Sequence, residues 1–203
     1  SLDLEHIYET DQSIMVDANQ YLKDYVSAEL GEPGPFSRAF WFHGTRTFAG
    51  NTFPRGLLAL NHSKSLAAKV LVDLAPDELV RKRLRQWFET GDVPDALFQL
   101  RTGDSMHWGP YGHLVRELHF HARENGLHDY LHLPELVEDV CNAYLKQYGH
   151  DLTAYYLKVL HPCIIWFEAD ISYEKGAIET ALAYAYTSVR ALPPDCHATI
   201  GID

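Results

Sequence analysis

The sequence predicts one α+β domain over residues 1–203. It begins with a helix, and a mainly helical segment in the middle of the chain is preceded and followed by strands. Two observations support this class. Apolar aromatic runs rich in β-formers occur at residues 40–43 (FWFH) and 163–171 (CIIWFEADI), whereas the apolar residues between them recur at three- and four-residue spacing. A chain of 203 residues is also long enough to bury one sizeable core.

Residues 1–31 contain the first predicted helix. Apolar residues recur at three and four over residues 11–30, and Gly31 supplies a C-terminal stop. A Pro- and Gly-rich turn follows at residues 32–35, and the aromatic run after it predicts a short buried strand that ends near His43.

Residues 63–160 are predicted to be a helical insertion. Hydroxyl side chains at residues 63–65 open the first of its helices, and an early proline followed by acids opens the second. The helical spacing covers residues 63–74, 76–91, 111–125, 134–148 and 151–160. Residues 101–110 (RTGDSMHWGP) have no period and predict a loop.

Residues 162–203 are predicted to form C-terminal strands. The run CIIWFEADI favours a buried strand, and a short strand is expected at residues 199–202. Residues 180–189 (TALAYAYTSV) alternate small with aromatic side chains, which favours a strand, although Ala and Leu leave a helix open.

Charge and composition narrow the function classes. The net charge is −11 with only 17 Lys and Arg, so an extended contact with nucleic acid is not expected. No apolar run approaches the ~18 residues of a membrane span, so no membrane partner is expected. Three widely spaced cysteines, Cys141, Cys163 and Cys196, indicate a reducing compartment. We expect the cytoplasm, with action in a host or target cell left open.

The aromatic strand runs directly into a polar cluster, FWFHGTRTF at residues 40–48. A polar cluster at a strand end is where a sheet delivers side chains into a cleft. His43 and Thr45 alternate to the same side of an extended chain, and Gly44 lets a ligand approach the backbone. The alternative is a buried histidine capped by its neighbours.

The order of these motifs resembles the N-terminal half of the ADP-ribosyltransferases of the diphtheria-toxin and poly-ADP-ribose-polymerase branch. An apolar strand ends in His-Gly-Thr-Arg, Gly-Leu-Leu follows at residues 56–58, and Ser-Lys-Ser at residues 63–65 opens a helix. The resemblance implies two split antiparallel β-sheets that hold NAD in a cleft, with residues 36–62 as the strand and loop of the NAD motif.

The resemblance also implies roles for single residues. His43 would bind a ribose of NAD, the Gly44 backbone would hold the nicotinamide amide, and Thr45 and Arg46 would complete the rim of the NAD site. Ser63 would contribute to NAD binding from the start of its helix.

The family's stacking tyrosine and catalytic glutamate need counterparts. Residues 59–65 (ALNHSKS) lack the tyrosine, so Tyr111 or Trp108 would have to supply the aromatic ring. Glu179 stands before residues 180–189, as the family's glutamate stands before its strand, and it would act with His43 in catalysis; Glu168 is the competing glutamate.

The sequence therefore predicts an NAD-dependent ADP-ribosyltransferase that modifies a macromolecule, a protein rather than a nucleic acid given the acidic charge. One alternative is a catalytically degenerate relative that binds a nucleotide or a protein.

A second alternative is a metal-dependent phosphohydrolase of the HD type. It is suggested by the dipeptides His128-Asp129 and His150-Asp151 and by the spacing of His113, Glu117 and His121 on a predicted helix. The ADP-ribosyltransferase prediction includes no metal site.

Overall fold

The computed structural model of the chain describes residues 18–171, 174–194 and 199–201. None of the helices in these ranges combines the length and apolar composition that a membrane span requires. Short 3₁₀ helices cover Ser105–His107 and Arg116–Phe120. The other elements are α1 (Ala18–Leu30), β1 (Arg38–Thr47), α2 (Leu60–Asp73), α3 (Glu78–Thr90), α4 (Ala96–Gly103), β2 (Tyr111–His113), α5 (Glu135–Tyr148), α6 (Thr153–Val159), β3 (His161–Asp170), α7 (Glu174–Val189) and β4 (Thr199–Gly201).

The strands in the described ranges form one four-stranded sheet in the order β3-β1-β2-β4. β1 and β2 are antiparallel, with Phe42 opposite His113. The mixed α+β class is therefore confirmed. The two separate sheets implied by the resemblance to ADP-ribosyltransferases are not seen in this part of the chain.

The described residues divide into two compact units. Unit 1 takes residues 18–42, 112–125 and those between 166 and 200, and unit 2 takes residues 43–111, 126–165 and 201. The strands β1 and β3 each contribute residues to both units. A single domain over the whole chain stays a prediction.

Unit 2 is a helical body with one buried apolar core. The Trp87 ring of α3 stacks on the Tyr148 ring of α5, with centroids 5.7 Å apart. The buried Tyr156 hydroxyl of α6 donates a 2.7 Å hydrogen bond to the carbonyl of Leu71 in α2. The helices of this unit are therefore joined by both apolar packing and buried polar contacts.

The helix signals read in the sequence of unit 2 are largely confirmed. The Asp77 side chain caps α3 by accepting from the Val80 amide, and Gly91 ends the helix in the left-handed region at φ 76°. The predicted helices at residues 134–148 and 151–160 correspond to α5 and α6. Helix α4 was not predicted; the Asp95 carboxylate caps it, and its last residues fall in the predicted loop.

Unit 1 packs α1 against α7. Ala18 and Leu22 of α1, and Ala177 and Ala183 of α7, are buried. Gly31 ends α1 at φ 86°, as predicted. The part of the predicted first helix that precedes residue 18 lies outside the described residues.

The prediction of a strand at residues 180–189 is wrong, because these residues belong to helix α7. Ala has the highest helix propensity of all residues, α7 packs against α1, and Ala177 and Ala183 of α7 are buried. The other two predicted C-terminal strands are confirmed as β3 and, over residues 199–201, as β4.

The prediction of a helix at residues 111–125 is also wrong. The chain instead forms β2 and a 3₁₀ helix. At Gly112 the backbone lies so close to the Phe167 ring that an added Cβ would be 2.7 Å from it. Pairing with β1 and this close approach therefore replace the helical spacing, and His113, Glu117 and His121 do not share an α-helical face.

Candidate functional site

Unit 2 contains a cavity of about 440 Å³, here called the β1 cavity. Its walls are the second half of β1, the loop of residues 48–58 and one face of α2. Pro110, Val137 and Leu160 complete the lining. Small-molecule sites commonly have volumes of about 300–1,000 Å³, so the β1 cavity has the size of a ligand site.

Strand β1 supplies a row of polar side chains to this cavity. His43, Thr45 and Thr47 all line it, as expected for alternate residues of one strand. The prediction that β1 ends near His43 is wrong, because the strand continues to Thr47. Thr is β-branched and favours extended backbone, which extends the strand through the polar cluster.

The His43 ring is held by a backbone contact. Its Nδ1 lies 2.7 Å from the carbonyl oxygen of Tyr111. A carbonyl only accepts, so Nδ1 carries the proton of this hydrogen bond, and in the neutral ring Nε2 has the lone pair. The His43 ring is half-buried and also lines the cavity, so its role in ligand binding stays a prediction.

The aromatic residues considered for nicotinamide stacking have other contacts. The Tyr111 hydroxyl donates to the carbonyl of Met106, and its ring lies next to Gly109. The Trp108 Nε1 donates to the carbonyl of Thr102 at 3.3 Å. Neither ring is among the residues that line the β1 cavity. Tyr111 contributes its carbonyl to the site, through His43.

Arg46 lines the cavity but uses its guanidinium on backbone. Nη1 donates to Leu131 at 2.6 Å, Nη2 donates to Leu157 at 2.6 Å and to Leu160 at 2.5 Å, and Nε donates to Leu160 at 3.0 Å. Two of the three carbonyls lie at the C-terminal end of α6, where a cation is favoured. Burial lowers the pKa of Arg46, and the charge of Asp129 opposes this shift. Arg46 therefore ties β1 to α6.

The loop of residues 48–58 is tied to the end of β1 by Asn51. The side-chain Nδ2 of Asn51 donates to the Thr47 hydroxyl oxygen at 2.8 Å, and the Asn51 Oδ1 accepts from the Phe53 backbone amide at 3.1 Å. The Gly56 amide closes a turn onto the Phe53 carbonyl at 2.8 Å. Gly56 has φ 70°, which side-chain-bearing residues rarely adopt. The loop thus has a defined shape.

Helix α2 supplies the largely apolar wall. Ser63, Leu66, Ala67, Val70 and Leu71 line the cavity at three- and four-residue spacing. The prediction that Ser63 opens this helix is wrong by one turn. α2 begins at Leu60, whose amide donates to the Trp108 carbonyl at 2.6 Å. Ser63 therefore faces the cavity from within the helix.

Two predicted site residues are placed differently. Gly44 is buried and does not line the β1 cavity. Glu179 lies in the second turn of α7, in unit 1, and is half-buried. Its expected place before a strand is wrong, because residues 180–189 are helical. Glu168, the competing glutamate, pairs with Arg38 at 3.3 Å on an exposed part of unit 1.

No Asp or Glu of the described ranges lines the β1 cavity. The lining has two arginines, a histidine, three hydroxyls and an amide on a mainly aliphatic surface. The cavity therefore favours a ligand with acceptor groups or negative charge next to an apolar ring system.

The His-Asp dipeptides have local structural contacts. His128 Nε2 donates to the carbonyl of Leu133 at 2.7 Å, and the Asp129 carboxylate accepts from the His132 amide at 2.9 Å. The Asp151 carboxylate accepts from the Thr153 side chain, and also from the Thr153 amide at the start of α6 at 2.8 Å. Both hydrogen bonds lower the pKa of Asp151, the one from the side chain more. Across residues 18–171, 174–194 and 199–201, no group of three or more His, Cys, Asp or Glu side chains could hold a metal ion.

Sequence reasoning missed three polar residues that line the cavity: Thr47, Asn51 and Arg55. Thr47 continues the alternation of His43 and Thr45 and could have been found from a longer strand. Asn51 and Arg55 lie in a loop with no periodic signal, so only the folded loop brings them to the cavity.

Comparisons of the chain with protein-family models, with curated proteins and with solved structures give no match.

Proposed function

We propose that the chain binds NAD or a closely related nucleotide in the β1 cavity, as a nucleotide-binding relative of the ADP-ribosyltransferases. One observation carries the proposal: the cavity lining combines three hydroxyls and one imidazole with a mainly apolar surface, and no Asp or Glu of the described residues belongs to it. A nucleotide has the matching parts, which are ribose hydroxyls, an acceptor-rich phosphate and a flat ring.

The polar wall fits a ribose and a phosphate. A ribose hydroxyl can donate to Nε2 of His43, since the proton on Nδ1 is directed at the Tyr111 carbonyl. The hydroxyl groups of Thr45 and Ser63 can donate to phosphate oxygens. Thr47 accepts from Asn51 through its oxygen and keeps its own O–H as a donor.

The apolar wall fits a nucleobase or nicotinamide ring. Leu57 and Leu58 of the loop and Leu66 and Val70 of α2 line the cavity. Burial of a flat ring against aliphatic side chains supplies affinity of about 25 cal/mol per Å² of apolar surface removed from water. The aromatic side chains of Phe48 and Phe53 also belong to the cavity lining.

Isothermal titration calorimetry with NAD tests the binding proposal. Thr45→Val removes one hydroxyl from the cavity at nearly constant volume. Thr52→Val makes the same change at an exposed residue of the loop that follows β1, outside the cavity lining. We expect Thr45→Val to weaken NAD binding by roughly three- to tenfold, as for the loss of one hydrogen bond, and Thr52→Val to leave it unchanged. A wild-type protein that binds neither NAD nor ADP contradicts the proposal.

ADP-ribosyl transfer is a further step that binding alone does not supply. Cleavage of the glycosidic bond passes through an oxocarbenium-like state that a carboxylate stabilises, and Glu179 is the carboxylate proposed for it. The net charge of −11 favours a protein acceptor.

Release of nicotinamide from NAD distinguishes the two forms of the proposal. Wild-type release that is lost in Glu179→Gln supports a transferase. Glu168→Gln is the matched control, because the Glu168 carboxylate already pairs with Arg38. NAD binding without nicotinamide release supports the catalytically degenerate relative.

A further inference from the structure

The two arginines that line the β1 cavity differ in what their charges contact. The Arg46 guanidinium donates to three backbone carbonyls. Within the described residues, the Arg55 side chain has neither a hydrogen bond nor an ion pair. Arg55 is thus the cavity cation whose charge is available to a ligand.

Within the described residues, Arg55 lacks the carboxylate partner that four other arginines have. Arg38, Arg81, Arg101 and Arg116 each pair with an Asp or Glu. No Asp or Glu of the described ranges lines the cavity beside Arg55. An anionic ligand therefore does not compete with a resident carboxylate for this guanidinium.

The turn that carries Arg55 is fixed on both sides. Asn51 holds the start of the loop against Thr47 and Phe53, and the Gly56 amide closes the turn onto the Phe53 carbonyl. Arg55 is exposed, in contrast to the half-buried hydroxyl side chains of Thr45 and Ser63 in the same cavity. A fixed turn lowers the conformational entropy that a guanidinium loses when it binds an anion.

We propose that Arg55 recognises the phosphate of the ligand and makes the β1 cavity selective for phosphorylated nucleotides over nucleosides. This inference rests on the proposed nucleotide site. A guanidinium matches phosphate oxygens in a two-pronged geometry, and a hydrogen bond between two charged groups is stronger than one between neutral groups. Arg55 sets the preference for charge, while His43 and the aliphatic wall contact the parts that nucleosides and nucleotides share.

The test is calorimetric binding of NAD, ADP and adenosine to the full chain and to three variants. Arg55→Gln removes the charge, and Arg55→Lys keeps the charge but loses the paired N–H donors of the guanidinium. Arg85→Gln removes an exposed arginine of α3 outside the cavity. We expect Arg55→Gln to weaken the binding of ADP and NAD about tenfold or more and to leave the affinity for adenosine unchanged. Arg55→Lys should lie between wild type and Arg55→Gln, and Arg85→Gln should match wild type.

The outcomes distinguish failure of the Arg55 inference from failure of the proposed NAD site. Equal weakening of adenosine and ADP by Arg55→Gln overturns the inference, because the residue would then act on the loop and not on the phosphate. No weakening of ADP by Arg55→Gln, or equal weakening by Arg85→Gln, also overturns it. Wild-type protein that binds ADP through Arg55 but does not bind NAD contradicts NAD as ligand and supports the inference. Protein that binds none of the three overturns both.

Discussion

The Nδ1 atom of His43 lies 2.7 Å from the carbonyl oxygen of Tyr111. This contact joins a side chain of β1 to the backbone of the first residue of β2. Because the carbonyl accepts, it selects the Nδ1-protonated form of the neutral ring and makes Nε2 a hydrogen-bond acceptor. The backbone of β2 therefore sets the chemistry that His43 offers to the β1 cavity.

Replacement of His43 by Phe is expected to weaken the binding of NAD and adenosine by a similar factor, about three- to tenfold. The ring remains, but the nitrogen that accepts from a ribose hydroxyl is lost, and both ligands contain that ribose. Calorimetric titration measures both affinities. His150→Phe, at an exposed residue outside the cavity lining, is the control. Loss of NAD binding with unchanged adenosine binding would assign His43 to the phosphate instead.

Arg46 is expected to be a structural residue, despite its place in the cavity wall. Arg46→Gln leaves the carbonyls of Leu131, Leu157 and Leu160 without their charged donor. We expect the free energy of unfolding to fall by about 2–4 kcal/mol, measured by urea denaturation. Arg55→Gln, the same change in the same cavity, should leave stability within about 0.5 kcal/mol of wild type. Equal stabilities of the two variants would contradict the structural assignment of Arg46.

The contrast between the two arginines shows where sequence reasoning stops. The pattern His-Gly-Thr-Arg placed Arg46 at the rim of the site, and it does line the cavity. Its partners, however, are 85, 111 and 114 residues further along the chain. Nothing local encodes contacts over such separations. Arg55 gave no signal in the sequence, because a loop residue reaches a cavity only through the folded shape of its loop.

The secondary structure was predictable where periodicity and capping agreed. The sequence predicts that α3 begins near Asp77 and ends by Gly91, and the structure has the helix between these two residues. The prediction failed at residues 180–189, where alternation and alanine propensity pointed to different structures and the packing of α1 against α7 decided for a helix. It also failed at residues 111–125, where strand pairing of β2 overrode the helical spacing.

A buried ion-pair network joins α4 and α5 and predicts a large loss of stability when one partner is removed. Arg101 pairs with Asp139, which is only 3% exposed, and with Glu135 at 3.0 Å. Arg101→Met leaves the Asp139 carboxylate buried without its cation, so we expect a loss of about 3–5 kcal/mol in urea denaturation.

The double variant Arg101→Met with Asp139→Leu tests whether the loss of stability comes from the unpaired charge of Asp139. It removes both charges, and we expect it to recover much of the stability lost by Arg101→Met, because the cost of an unpaired buried charge disappears. A double variant that is no more stable than Arg101→Met would show that Asp139 does not depend on Arg101 for its compensation.

The buried His119 predicts a pH dependence of stability in unit 1. Burial lowers the pKa of His119 below its ordinary value; its Nε2 contact with the Phe42 carbonyl opposes the shift, and the nearby Arg116 adds to it. The unfolded chain therefore binds a proton at a higher pH than the folded chain does. The free energy of unfolding is constant above the unfolded pKa of about 6.5 and falls as the pH drops below it, until the folded pKa is reached.

Urea denaturation between pH 5 and 8 measures this dependence as the difference in unfolding free energy between wild type and His119→Gln. We expect that difference to shrink as the pH falls below about 6.5, by at most about 1.4 kcal/mol per pH unit, because only the wild type has the titrating group. Other titrating groups cancel between the two proteins. A difference between wild type and His119→Gln that does not change with pH would mean that the folded and unfolded chains protonate this histidine alike.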